Sequence, residues 1–132
     1  MMSIYTYTYQ QESKTMWRKD EVYQALVKII ENAGVRITHA TGPDDAIDGA
    51  IWARSDTDAM AIMMPEAEDA FPNAETACLI LGHEMGHILT GADSPDEPIA
   101  RRENEAVCDF IGAQLTRLAE LTAGYEAEKE NR

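Results

Sequence analysis

The sequence predicts an α+β domain. Three stretches, roughly Ser13–Ala33, Asn73–Thr90 and Ile99–Ala123, repeat apolar residues at helical spacing and carry end signals. Between the first two lie short apolar runs separated by turn residues, the mark of strands. The expected architecture is an N-terminal helix, a short sheet of three or more mostly antiparallel strands, a central helix and a C-terminal helix. With 132 residues, no repeat and no linker, residues 1–132 read as one domain.

Taken in order, Tyr5-Thr6-Tyr7-Thr8-Tyr9 alternates aromatic and β-branched residues. It suits a short strand, an extended arm or a terminus without fixed structure. Ser13 and Thr15 are candidate N-caps for the first helix, whose apolar face is Val22, Leu26, Ile29, Ile30 and Ala33. Gly34 is placed to stop it in a left-handed conformation. Val35–Thr41 reads as a strand with Val35, Ile37 and His39 on one face. His39 can be a metal ligand or an ordinary hydrogen-bonded histidine, and the second use is commoner.

Gly42-Pro43-Asp44-Asp45 marks a turn, with the loop running to Gly49. Ala50–Ala53 and Ala59–Met64 then predict a hairpin, with Ser55–Asp58 as its loop. The methionines of the second strand suit core filling. After an acidic connector, Asn73 caps the central helix and Gly91 ends it. Gly82 and Gly86 lie four apart within it. Each costs up to about 1 kcal/mol against alanine in a helix interior, so a close-packed neighbouring backbone is the expected compensation. The last helix carries a mostly apolar stripe of Val107, Phe110, Ile111, Gln114, Leu118 and Leu121, and Gly124 is its expected end. Glu105, Asp109 and Gly112 share an adjoining strip.

The chain has 24 acidic residues against 11 basic ones, for a net charge of −13. This argues against nucleic acid or an anionic membrane as partner, since both are held by basic patches. The first residues lack a basic segment and an apolar core, and no apolar run reaches membrane-spanning length, so a cytoplasmic protein is expected. Cys78 and Cys108 do not make a disulfide framework and read as buried reduced thiols, with a redox pair as the sharper alternative.

The chemistry concentrates in His83-Glu84-Met85-Gly86-His87. On a helix, His83 and His87 lie one turn apart on one face and can share a metal ion, while Glu84 can reach a water on that ion. Zinc suits imidazole and carboxylate donors with one position left open. A chance match to so short a pattern is the plain alternative. Two histidines need a third ligand, and Glu105 on the next helix is the first candidate. Glu103 competes with it, about 200° away around the helix. Asp109, one turn after Glu105, can accept the free N–H of a ligating histidine, which favours Glu105.

The two motifs, His83 to His87 and Asn104-Glu105-Ala106-Val107-Cys108-Asp109, together resemble those of gluzincin metallopeptidases. Size and element order are similar to minigluzincins or the catalytic domain of ImmA/IrrE-type metallopeptidases, over roughly residues 16–123. The resemblance implies a zincin-like fold and one zinc ion on His83, His87 and Glu105. It implies Glu84 as general base and then acid, with Asp109 orienting a histidine. It also implies that the strand Ala50, Ile51, Trp52, Ala53 and Arg54 forms the rim against which a peptide or protein substrate lies. Peptide-bond hydrolysis by a metal-bound water activated by Glu84 is the implied activity. Thermolysin-like members stabilise the oxyanion with a Tyr and a His from segments this chain lacks. The alternative is a latent or regulatory zinc-binding module that acts by protein contact.

Overall fold

The computed structural model describes residues 16–41, 53–91 and 97–130. The Tyr-rich stretch at 5–9, the Ser13 and Thr15 caps, the turn at 42–49 and Ala50–Trp52 lie outside the described residues. The described elements are α1 (Glu21–Asn32), β1 (Arg36–Ala40), β2 (Arg54–Asp56), β3 (Ala61–Pro65), α2 (Ala74–Thr90) and α3 (Pro98–Glu130). A single 3-10 turn, Trp17–Lys19, precedes α1.

The first helix starts later than its sequence suggests. Asp20 adopts an extended conformation, and its carboxylate accepts from the backbone N–H groups of Val22 and Tyr23 at 2.8 and 3.2 Å. Its short acceptor side chain suits an N-cap, and that breaks the helical run expected from Ser13 or Thr15. Val22, Tyr23, Leu26 and Ile30 form the buried face. Trp17 packs edge-on against Tyr23 and Phe71, with ring centroids 5.0 and 4.7 Å apart. Gly34 follows the helix at φ 95°, as the sequence suggests.

The sheet has the order β1-β3-β2. β2 and β3 are antiparallel, with Ser55 opposite Ile62, whereas β1 and β3 are parallel, with Ile37 beside Ile62 and His39 beside Met64. The hairpin exists, but its loop is displaced. Ser55 and Asp56 belong to β2, and the turn falls on 57–60. Asp56 accepts from the Ala59 N–H at 3.0 Å, and Met60 takes the left-handed conformation with φ 52°. The methionines divide by the alternation of a strand: Met64 is fully buried, whereas Met63 and turn residue Met60 are each 42% exposed.

Asn73 caps α2 through Thr76 N–H at 2.8 Å, and Gly91 ends it at φ 74°. Glu97 opens α3 by accepting from the N–H groups of Ile99 and Ala100. α3 does not end at Gly124. It runs to Glu130, and Gly124 is buried within it. A small residue serves a packed position there, and the Glu, Ala and Lys that follow are good helix formers.

The α2–α3 contact positions the site. A Cβ on Gly82 would lie 2.7 Å from Gly112 Cα, and one on Gly86 would lie 2.8 Å from Cys108 Cα. A Cβ on Gly112 would meet the Leu79 carbonyl oxygen at 2.8 Å. The helix glycines therefore admit a neighbouring backbone, as their cost implies. The packed face of α3 is made of Cys108, Gly112, Thr116 and Ala119, all buried. Its large apolar stripe points away from the domain, with Phe110 65% exposed.

Candidate metal centre

His83 and His87 project from the same face of α2 because they are one turn apart. Their rings meet edge to face, with centroids 4.9 Å apart. His87 is buried and His83 half-buried. The tight glycine contacts bring α3 alongside, and Glu105 bridges the pair. One carboxylate oxygen lies 2.8 Å from His83 Nε2 and the other 3.3 Å from His87 Nε2. Asp109, one turn further on, accepts from His83 Nδ1–H at 2.7 Å. Glu103, the competitor for the third position, is exposed.

The donor chemistry fits a cation. His83 is held between two carboxylates, one on each ring nitrogen. Asp109 fixes the proton on Nδ1, which in a neutral imidazole leaves Nε2 as a lone-pair donor. That lone pair faces the Glu105 oxygen, so the contact needs a proton or a metal ion between them. Two imidazole nitrogens and a carboxylate are the ligand types of an open zinc site.

Glu84 follows His83 on the helix and is half-buried. Burial pushes its carboxyl above the usual range. His87, a hydrogen bond from Ser55 and His83 oppose that rise, and Glu105 adds to it. An upward shift is the direction that makes a carboxylate a better proton acceptor. Ser55 is on β2, so the antiparallel hairpin delivers a side chain to the acid beside the histidines. Of the proposed rim residues, Arg54 opens β2 and Ala53 precedes it. A groove of about 570 Å³ runs along α3 beside the site, lined by Arg101, Arg102, Glu105 and Asp109 among others.

Cys108 is a donor that sequence reasoning set aside. Its Sγ and one ring nitrogen from each of His83 and His87 lie within 4.8 Å of one another, so the three can hold a single metal ion. Burial pushes the thiol up to about 11, helped by the negative charges of Glu105, Glu84 and Asp109. The available signal was its place three residues after Glu105, on the side of α3 that packs on α2. Ser55 carries no such signal, because Ser55–Asp58 reads as a polar hairpin loop and only the pairing of β2 with β3 puts it in a strand. Asn104 links the helices by donating to Thr90 Oγ1 at 3.2 Å.

His39 is not part of this cluster. Its Nε2 accepts from the Tyr23 hydroxyl at 2.8 Å, and its ring lies beside Trp17. Burial raises the pKa of Tyr23, which keeps its proton in place to donate. Among the described residues, no helix is long and apolar enough to cross a membrane.

No family model matches this chain, and no curated protein or solved structure matches it.

Proposed function

We propose that this chain is a zinc-dependent peptidase of the gluzincin type. The observation that carries the reading is the Glu105 carboxylate closing on both histidine Nε2 atoms, with Glu84 beside them on the same helix. His83, His87 and Glu105 would hold one zinc ion, with Asp109 fixing the tautomer and orientation of His83. When bound, zinc supplies Lewis acidity, lowering the pKa of a water toward about 7 and polarising a carbonyl. Glu84 takes a proton from the attacking water and later gives it to the departing amine nitrogen. Ser55 steadies the Glu84 carboxylate from β2. An extended peptide would lie along the β2 strand and its rim residues Ala50 to Arg54, held by backbone hydrogen bonds. The protein would be cytoplasmic, with a peptide or protein as its substrate.

The test has two parts, metal analysis of the purified chain and cleavage of an unstructured peptide. About one zinc per chain, with cleavage abolished by chelation and restored by zinc, is the expected result. Less than stoichiometric metal after zinc loading would overturn the ligand set.

Cys108 favours a second reading, a zinc-binding module that works by protein contact. A sulfur so near both histidines can fill the position that a substrate needs. Under this reading the chain binds zinc but cleaves nothing, and Cys108→Ser removes the thiolate-to-metal band of the cobalt-substituted protein. Under the first reading Cys108→Ser leaves zinc content and cleavage intact.

A further inference from the structure

The outward stripe of α3 is the largest feature that the metal centre leaves unused. Val107, Ile111, Gln114, Leu118, Leu121 and Tyr125 follow one another at steps of four, three, four, three and four residues. That is a heptad seam, the 3.5-residue period that matches one helix to another rather than to a sheet or a small ligand. Val107, Leu118, Leu121 and Tyr125 are all exposed, and Phe110 extends the strip sideways. The packed residues Cys108, Gly112, Thr116 and Ala119 occupy a different side of the same helix, roughly 135° around from the seam. Pairing along the seam would therefore leave the metal centre uncovered.

We propose that this seam joins two copies of the chain, helix beside helix, parallel and in register. Two observations select a second copy. The first is the polar residue at the middle of the seam. Gln114 carries both donors and acceptors, so a like residue at the same level satisfies it when buried. In-register parallel pairing places Gln114 against Gln114 and every other seam residue against its counterpart. An antiparallel pairing that used the whole seam would bury Gln114 against Leu118. A single polar core residue is a known means of setting register. The second observation is area. The exposed apolar side chains offer on the order of 500 Å² per copy, at the lower bound for a specific interface once both copies are counted. A patch that size falls within the range of the largest apolar patch on a monomer, which is often functional. With a charge of −13 on each copy, long-range repulsion opposes the pairing, and salt will strengthen it.

The test is sedimentation equilibrium of the full chain across a concentration series. The intact chain should approach twice its monomer mass, with tighter association at higher salt. Leu118→Glu and Leu121→Glu should each raise the dissociation constant at least tenfold, since each puts a charge in the seam. Both positions are exposed in the single chain, so circular dichroism should show an unchanged fold. Gln114→Cys should then give a dimer with a short bis-maleimide, whereas the wild type, whose cysteines are both buried, should not. A chain that stays monomeric, or a dimer indifferent to both glutamates, would overturn the proposal. A dimer that does not cross-link at Gln114→Cys would overturn the in-register arrangement.

Discussion

Replacing Gly82 with alanine sets two physical effects against each other. Helix propensity favours alanine by about 1 kcal/mol in a helix interior. Packing opposes it, because the new Cβ would lie 2.7 Å from Gly112 Cα. The obstacle is backbone rather than a flexible side-chain tip, so it cannot turn aside. The helices must separate by several tenths of an ångström along their closest contact. Overpacking of this kind costs about 1–3 kcal/mol, and a backbone obstacle places it at the upper end. After the propensity gain, the net loss is about 2 kcal/mol, which lowers Tm by roughly 6–8 °C for a chain of this size. Thermal unfolding followed by circular dichroism measures it directly. Glu105 and Asp109 ride on the displaced helix, so zinc affinity should fall with stability. A Gly82→Ala protein as stable as the wild type, or more so, would refute the close contact and the placement of Glu105 that depends on it.

Other substitutions separate the roles within the site. Glu105→Gln should weaken zinc binding by at least a hundredfold, whereas Glu103→Gln should leave it unchanged, as isothermal titration would show. Asp109→Asn should cost about 10–100-fold in zinc affinity, because an uncharged amide that can donate as well as accept no longer fixes the tautomer of His83. His39 gives a dependence on pH. Burial, with Arg18 adding to it and Glu31 opposing, depresses its folded pKa below the ordinary histidine value. The unfolded chain therefore binds the extra proton first, so this contribution to stability is present above about pH 6.5 and lost as pH falls through the folded value. Urea unfolding at pH 7.5 and pH 5 should show a smaller loss on acidification in His39→Gln than in the wild type.

The parts of the fold written in local chemistry could be read directly. Asn73, Gly91 and Gly34 act where their side chains, or the lack of one, dictate. The two helix glycines signalled a close neighbour, which proved to be Gly112 and Cys108 of α3. Three kinds of feature escaped. Asp20 was hidden among helix-forming residues, and only its extended backbone reveals it as the cap. The parallel pairing of β1 with β3 depends on residues far apart in sequence, which no local pattern encodes. The burial of α3 ran against hydrophobicity, since the small face of Cys108, Gly112, Thr116 and Ala119 packs while Phe110 and Leu121 stay out. Close approach of two backbones needs small residues, and apolar size alone does not report it. Helical spacing puts His83 with His87 on one face and Glu105 with Asp109 on another, but that the two faces meet depends on the packing of α3 on α2. Cys108 and Ser55 needed the packing of α3 on α2 and the placement of β2.

Cleavage of an unstructured peptide by wild type and Glu84→Gln at matched zinc content tests the proposed function most directly. Glutamine keeps the shape of the side chain but cannot take the proton. Glu84→Gln should bind one zinc as the wild type does and lose at least about a hundredfold in kcat. Equal cleavage by the two proteins, or none by a fully zinc-loaded wild type, would contradict it.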